Sequence, residues 1–267
     1  MNKHPLRKIT SEHKQTYALD GVVVLRGMFD SDWIKLMHSA AEQVMANPTA
    51  YGIPGPSQGN DMTSVCHMWR KPGEFRDFVF NSPAAEITGK IIGSSTIRMY
   101  HDHLFIKPPH SRKIMRWHHD ATAWPVTGEQ VPNLWLSLTK ANEQSGRVEF
   151  LAGYPKYCLD NNIVYGFNND QASGICPDFE KRREDPNLNF VSFDLDPGDV
   201  VLFHPLMPHH SKGNSSDKPR IGLALRLFGD DVLWSPASHK APIPDVEQLP
   251  AGQQPQGKYF PILWQNT

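Results

Sequence analysis

The stretch "RIGLALRLF" (Arg220–Phe228) alternates between two kinds of side chain along its whole length. Successive residues of a β-strand point to opposite faces, so this alternation predicts a strand with two different faces. One face carries Arg220 and Arg226 at its ends with the small residues Gly222 and Ala224 between them, which predicts open space beside Arg220. The other face is aliphatic, as expected of a core strand: Ile221, Leu223, Leu225 and Leu227.

Similar short runs recur from residue 94 onward, separated by Gly, Pro, Asn and Asp. They are "TIRMYHDHLFIK" (Thr96–Lys107), "NLWLSLT" (Asn133–Thr139), "RVEFLAG" (Arg147–Gly153), "VSFDL" (Val191–Leu195) and "DVVLFH" (Asp199–His204). Many short strands with turn signals between them predict a sandwich or barrel. The polar segment 160–188 lacks such a pattern and is predicted to be a long insertion loop, either a functional lid or a disordered segment.

Helices are predicted mainly before residue 94. In "DSDWIKLMHSAAEQVMANP" (Asp30–Pro48), apolar residues recur at helical spacing after a capping Asp or Ser, and Asn-Pro closes the run. This pattern predicts an amphipathic helix. A short strand within "DGVVVLRGMF" (Asp20–Phe29) is expected before it, a Gly- and Pro-rich loop (Tyr51–Asn60) after it, and a second helix over Pro83–Ile92.

The composition is that of an ordinary globular protein, with 39% hydrophobic, 10% aromatic and 21% charged residues. We expect one domain over residues 1–267, with 1–93 as mainly helical support, 94–235 as the β core and 236–267 as a C-terminal extension. The net charge of -1 gives no reason to expect nucleic acid or an anionic membrane as a partner. No window approaches the ~18 apolar residues of a membrane span, and no secretory signal is recognisable, so a cytoplasmic location is expected.

The three cysteines are Cys66, Cys158 and Cys176, and none stands in a CxxC pair. Their odd number and wide spacing argue against a disulfide framework and against a structural zinc site, and they fit a reducing compartment. All three are therefore expected to be chemically inert.

Two adjacent histidines precede an aspartate in "WHHD" (Trp117–Asp120). In an extended chain, His118 and Asp120 share one face and His119 points to the other. A histidine and a carboxylate on one face can bind a single metal ion if a third ligand joins them. The pair alone is a weak signal, because histidines are common in satisfied polar cores.

Further histidines occur in "GDVVLFHPLMPHHSKGN" (Gly198–Asn214), at His204, His209 and His210. In an extended segment His209 shares a face with Ser211, and His210 points away. Two histidines and one carboxylate on one side of a ferrous ion form the facial triad of non-haem iron oxygenases.

These segments resemble the phytanoyl-CoA dioxygenase family of iron(II)/2-oxoglutarate-dependent oxygenases, in the family's order and spacing between Ile97 and Phe228. The matching pieces are "KPP" (Lys107–Pro109), "WHHD" (Trp117–Asp120), "LWLSLTKANEQSGRVEFLAG" (Leu134–Gly153) and "GDVVLFHPLMPHHSKGNSSDKPR" (Gly198–Arg220). The last piece fits F-H-x4-H-x-S-x2-N-x-S-x3-R, a pattern that chance rarely produces. The resemblance implies a mainly β fold with flanking helices around a double-stranded β-helix core, a cupin-like jelly roll.

Carried over by position, the resemblance makes His118, Asp120 and His209 the iron ligands. It makes Arg220 the partner of the distal carboxylate of 2-oxoglutarate, with Ser211 donating a hydrogen bond to the same end. An arginine suits this task because its planar guanidinium donates two parallel hydrogen bonds to a carboxylate.

The resemblance also places Trp135 and His103 in the lining of the cosubstrate site. Arg226 shares a face with Arg220 and is the second candidate anchor, with a salt bridge at the rim as its structural alternative. Lys107 could add positive potential to the site, but it is expected to be a solvated strand end. The chain departs from the family at His119, where glutamine is usual, and at His210, where a small residue is usual.

The activity that the resemblance implies uses iron(II), 2-oxoglutarate and O2 to hydroxylate an unactivated C–H bond of a small molecule, with succinate and CO2 as coproducts. Desaturation or cyclisation by the same oxidant, or a cupin-like metal-binding protein without oxygenase activity, are the alternatives. Related halogenating enzymes lack the carboxylate that Asp120 provides, so halogenation is disfavoured. Neither the substrate nor the oligomeric state is predicted, and no acyl-CoA signature is visible.

Overall fold

The computed structural model describes residues 1–51, 62–163, 176–236, 243, 246 and 249–266. Its helices are α1 (Ser11–Asp20), α2 (Ser31–Ala46), α3 (Glu74–Asn81), α4 (Ala84–Ile92) and α5 (Tyr154–Asp160). Its strands are β1 (Val22–Leu25), β2 (Thr63–Cys66), β3 (Thr96–Lys107), β4 (Met115–His118), β5 (Val126–Thr127), β6 (Asn133–Ser137), β7 (Val148–Ala152), β8 (Asn189–Ser192), β9 (Val200–Phe203), β10 (His209–Ser211), β11 (Arg220–Phe228), β12 (Leu233–Trp234) and β13 (Ile262–Gln265). Among the helices described, none has both the length and the apolar character needed to cross a bilayer.

Two antiparallel sheets face each other. The larger has the order β1-β9-β6-β11-β3-β13, with β2 also paired to β3, and the smaller has the order β4-β10-β7-β8. Phe150 of the smaller sheet contacts Phe203 of the larger one, with ring centroids 5.1 Å apart. The predicted mainly β jelly roll with flanking helices is confirmed. Strands β1, β2 and β13 lie outside residues 94–235 in the sequence and still join the larger sheet.

Strand β11 lies between β6 and β3 and shows the two predicted faces. Its aliphatic side chains share one hydrophobic core with side chains of α2, α3 and α4, which include Trp33, Phe78 and Ile87. Complete burial of a side chain of this size stabilises the fold by roughly 1.5–3 kcal/mol. The opposite face, which carries Arg220 and Arg226, points toward the smaller sheet and lines a cavity.

The two predicted helices are confirmed within a residue or two at each end. The Asp30 side chain caps α2 by accepting a hydrogen bond from the Trp33 backbone N–H at 2.9 Å. Gly93 follows the last residue of α4, and its φ of 71° is the left-handed conformation that favours glycine after a helix. Helices α1, α3 and α5 were not predicted.

The predicted "VSFDL" strand is wrong in its bounds, because β8 ends at Ser192. Leu195 instead forms a separate bridge with Ala141 and is buried. Most of the predicted loop Tyr51–Asn60 and the middle of the predicted loop 160–188 lie outside the described residues. The described end of the second loop carries a 3-10 turn, Phe179–Arg182, and the next residue, Arg183, is paired with Glu149 of the smaller sheet at 2.8 Å.

Candidate metal and cosubstrate site

A cavity of about 1390 Å³ lies between the two sheets. Residues from both sheets line it, so its walls hold side chains that are far apart in the sequence. The lining includes every one of the residues predicted for the metal and cosubstrate sites: His103, His118, Asp120, Trp135, His209, Ser211 and Arg220. The predicted residues therefore share one space.

The predicted iron ligands converge. His118 on β4 is the register partner of His209 on β10, and their ring centroids lie 4.2 Å apart. Asp120 Oδ1 lies 3.7 Å from His118 Nε2. One potential ligand atom from each of the three residues lies within 4.8 Å of the others. This spacing allows a single metal ion to contact all three.

Backbone carbonyls orient both imidazoles for such a role. His118 Nδ1 is 2.7 Å from the Arg116 carbonyl oxygen, and His209 Nδ1 is 2.9 Å from that of Met207. A proton on Nδ1 that is donated to a carbonyl leaves Nε2 as a lone-pair donor, the arrangement usual for metal-binding histidines. Burial, the largest influence, and the neighbouring His118 lower the pKa of His209 to about 3, so its imidazole is neutral.

Asp120 reaches the site by a turn and not by strand alternation. Strand β4 ends at His118, and Asp120 has helical backbone angles (φ −82°, ψ −26°) at the start of the 3-10 turn Ala121–Ala123. The Ala121 N–H donates to the Pro205 carbonyl at 3.1 Å, which ties this turn to the loop before β10. His118 and Asp120 therefore converge as predicted, but strand alternation does not cause it, because β4 ends two residues before Asp120.

Two buried donors fix the Asp120 carboxylate. The Asn133 side-chain amide donates to Oδ2 at 2.9 Å, and Arg226 Nη2 lies 3.3 Å from the same oxygen. Burial alone would raise the pKa of Asp120, but Arg226, His209 and His118 lower it well below its usual range. Arg226 is thus buried and paired with Asp120, so the predicted salt bridge at the rim is wrong in its location.

His119 and His210, the two residues that depart from the family pattern, do not point toward the three predicted iron ligands. His210 points to the opposite side of β10 from His209, where its Nε2 is 2.7 Å from Glu149 Oε2 and its ring stacks on Trp117 at 4.2 Å. His119 is buried and is not part of the cavity lining. His209, not His210, therefore joins His118 and Asp120.

Arg220 is a buried cation beside the cavity, with a relative exposure of 2%. Its Nη1 donates to the Gly146 carbonyl at 2.8 Å, and its Nε has no hydrogen-bond partner within the described part of the chain. No acid among the described residues forms an ion pair with it. Burial lowers the pKa of Arg220 to about 10. A buried guanidinium with a free N–H is suited to bind an anion from outside the chain.

The expectation that Lys107 is a solvated strand end is wrong. The residue is completely buried and is the register partner of Arg220. Its Nζ donates to Ser211 Oγ at 2.9 Å and to the Lys212 carbonyl. Since Ser211 Oγ accepts this bond, its own hydroxyl hydrogen stays available for another acceptor. Burial, followed by the repulsion from Arg220, lowers the pKa of Lys107 to about 7.

The space predicted above Gly222 is filled by Trp135. A Cβ atom added to Gly222 would lie 2.0 Å from Trp135 Cζ2, so glycine is needed here for the indole to lie across β11. The Arg220 guanidinium carbon is 5.6 Å from the Trp135 ring centroid. The Trp135 indole thus lies across β11 next to Arg220, and the open space of the cavity is on the side of the indole that faces away from Gly222.

A family model, "Phytanoyl-CoA dioxygenase (PhyH)", matches residues 17–222 of this chain. The chain belongs to the phytanoyl-CoA dioxygenase family. The match spans β1 to the start of β11 and includes His118, Asp120, His209 and Arg220. The family resemblance seen in the sequence is thereby confirmed.

Two named dioxygenases are similar to parts of this chain. An ectoine dioxygenase from Sphingopyxis alaskensis is 22% identical over 232 residues, which is 81% of this chain and 75% of the relative. A 2-aminoethylphosphonate dioxygenase from uncultured bacterium HF130_AEPn_1 is 27% identical over 106 residues, 39% of this chain and 36% of the relative.

Solved structures match nearly the whole chain. The non-heme alpha-ketoglutarate-dependent carbocyclase SnoK from nogalamycin biosynthesis superposes with a TM-score of 0.76 at 19% identity, over 99% of this chain and 100% of SnoK. The epimerase SnoN, solved with Fe3+, alpha-ketoglutarate and nogalamycin RO, superposes with a TM-score of 0.74 at 19% identity, over 95% of this chain and 98% of SnoN. At this identity the matches establish the shared fold.

Proposed function

We propose that this member of the phytanoyl-CoA dioxygenase family is an iron(II)/2-oxoglutarate-dependent dioxygenase that hydroxylates an unactivated C–H bond of a small molecule. The observation that carries the proposal is the convergence of His118, Asp120 and His209 in one cavity with Arg220. Arg220 is a buried cation without a carboxylate partner among the described residues. A metal triad alone would fit many reactions, but the unpaired arginine adds a site for a dicarboxylic cosubstrate.

The donor set fits iron(II). Two imidazoles and one carboxylate, all on one side of the cavity, are the ligands of a facial triad that leaves positions open for other molecules. His118 and His209 present Nε2, and Asp120 is held in place by Asn133 and Arg226. Asp120 occupies the position that a halide needs, so the expected product carries no halogen.

The opposite part of the cavity fits 2-oxoglutarate. Arg220 would bind its distal carboxylate, and the Ser211 hydroxyl, which is polarised by Lys107, would donate to the same group. Trp135 and His103 would line the space between this carboxylate and the metal. Iron and 2-oxoglutarate bound here would supply the oxidant for the substrate from O2, with succinate and CO2 as coproducts.

The residues of this chain bind and orient the metal and the cosubstrate, and they exclude water from the site. Buried Arg220 and Lys107 replace solvent around the cosubstrate carboxylate, and the aromatic walls limit the water that reaches the metal. A cupin-like protein with another chemistry would not need a buried Arg220 beside Ser211, so the geometry supports it less well. A cavity of about 1390 Å³ has room for a small molecule beside the cosubstrate.

Product analysis under 18O2 tests the hydroxylase assignment. Succinate release with iron(II), 2-oxoglutarate and a metabolite panel identifies a substrate, and mass spectrometry then examines the product made in chloride buffer. We expect a product heavier than the substrate by one labelled oxygen atom. A product lighter by two hydrogen atoms would favour desaturation or cyclisation, and a product of unchanged mass would favour epimerisation. A chlorinated product would contradict the role given to Asp120.

Arg226→Ala is expected to weaken iron binding, because Asp120 loses the cation that keeps it ionised and oriented. Loss of such an outer partner of a metal ligand typically lowers metal affinity about 10- to 100-fold. Anaerobic equilibrium dialysis with iron(II) measures this directly. Arg98→Ala is the matched control, since Arg98 lies on β3 and donates to the Phe260 carbonyl. Equal iron affinity in the two variants would show that Arg226 does not support Asp120.

A further inference from the structure

A second group of potential metal ligands lies at the edge of the larger sheet. Cys66 on β2 is the register partner of His103 on β3, and His101 precedes His103 by two residues, which places both histidines on the same face of the strand. One potential ligand atom from each of the three side chains lies within 4.8 Å of the others. None of the three belongs to the triad of His118, Asp120 and His209.

The backbone around this group is held firmly. The Asp102 carboxylate, buried between the two histidines in sequence, accepts from the Trp69 N–H at 2.9 Å, and the His67 N–H donates to the Asp102 carbonyl at 3.3 Å. These bonds fasten the turn directly after Cys66 to β3. The His103 ring also bonds to the Ser64 hydroxyl, which fixes its orientation. The ligand atoms are therefore brought together by the fold before any metal arrives.

The chemistry of the donors separates this group from the triad. A thiolate and two imidazoles favour zinc and other borderline-soft ions, whereas the triad contains a carboxylate and no sulfur. Burial, as the largest influence, lowers the pKa of both His101 and His103, so their rings are in the neutral, metal-binding form. The nearby cation Arg226 is already paired with Asp120, which reduces its repulsion of a metal ion.

Cys66 is the ligand that must lose a proton before it can bind a metal ion. A cysteine thiol is ordinarily protonated at neutral pH, and it binds a metal ion as the thiolate. A metal ion that binds the sulfur must displace this proton, and its affinity then rises with pH. Cys66 is exposed as a residue, so ions from solution can reach it.

We propose that Cys66, His101 and His103 form a second metal site, for a divalent ion of the zinc class, in the wall of the cavity. Three protein ligands leave a fourth position for water or for a donor atom of a bound molecule. His103 lines the cavity that holds the triad, so this ion would lie in the wall beside the space proposed for the cosubstrate. The site does not depend on the proposed oxygenase activity.

Cobalt(II) added alone to the reduced, metal-free protein under anaerobic conditions tests the site. A cobalt–thiolate bond gives an intense near-ultraviolet charge-transfer band, which the triad cannot give because it has no sulfur ligand. We expect the wild type to show this band and to bind one more cobalt ion per chain than Cys66→Ser, which lacks the band. We also expect zinc(II) to abolish the band by displacement.

Two further variants make the result specific. His209→Ala should lose the triad ion and keep the thiolate band, so failure of the iron assignment and failure of the second site give different results. Cys176→Ser, which removes the cysteine that lines the cavity, should keep the band as well. Absence of the band in the wild type, or a band that disappears in Cys176→Ser and persists in Cys66→Ser, would overturn the proposal.

Discussion

His209→Ala is expected to abolish succinate formation and to lower iron affinity by more than about 100-fold, the upper end of what loss of an outer partner costs. His209 is one of only two imidazoles in the triad, and its Nε2 is oriented by the bond from Nδ1 to the Met207 carbonyl. Removal of the ring leaves His118 and Asp120, too few ligands to hold the ion. Anaerobic iron dialysis and succinate assays on the same preparation measure the effect.

His210→Ala is the matched control for this variant. The two histidines are adjacent in the sequence, but His210 points to the other side of β10 and pairs with Glu149. Its replacement is expected to lower thermal stability and to leave iron binding at the wild-type level. If His210→Ala lost iron to the same extent as His209→Ala, the assignment of the third ligand would be wrong.

Arg220→Ala is expected to raise the KM for 2-oxoglutarate by roughly thirty-fold to several-thousand-fold. Removal of one partner from a buried charge pair costs about 2–5 kcal/mol, and each 1.4 kcal/mol is a factor of ten. Arg220 is buried, and its guanidinium has an unpartnered Nε within the described part of the chain. Because Arg220 does not contact the triad, iron binding without cosubstrate should be little changed.

The comparison with Arg226→Ala separates the two arginines on β11. Arg226 is bonded to Asp120, so its loss should reduce iron affinity with a much smaller effect on the KM for 2-oxoglutarate at saturating iron. Lys107→Met should give an intermediate rise in KM, because Ser211 loses the bond that orients its hydroxyl. The opposite ranking of Arg220→Ala and Arg226→Ala would move the cosubstrate anchor to Arg226.

Much of the fold could be read from local patterns. The alternation in "RIGLALRLF" defined both faces of β11, and the helical spacing after Asp30 located α2. Helix α1 was missed because its capping box uses an unusual residue: Thr10 Oγ1 accepts from the His13 N–H, and the His13 ring takes the place of the usual Glu or Gln. Strand β13 was missed because it is short and its pairing with β3 links distant parts of the sequence.

The candidate site, like the fold, could be predicted only in part from the sequence. Its ligands and Arg220 lie in a recognisable sequence pattern, so they could be predicted from the sequence. The burial of Lys107 and the pairing of Arg226 with Asp120 depend on which strands lie side by side, which no local pattern encodes. For the same reason, the wide cysteine spacing argued against a zinc site, whereas the neighbours of Cys66 are histidines on another strand.

The most direct test of the central claim is the anaerobic visible spectrum of the wild-type protein with iron(II) and 2-oxoglutarate. Bidentate binding of 2-oxoglutarate to a triad-bound ferrous ion gives a weak metal-to-ligand charge-transfer band in the visible region. We predict that this band appears only when both iron and 2-oxoglutarate are present, and that it is absent from His209→Ala. If the wild type bound iron and 2-oxoglutarate in dialysis and the band did not form, the two would not share one site, and the proposed function would be contradicted.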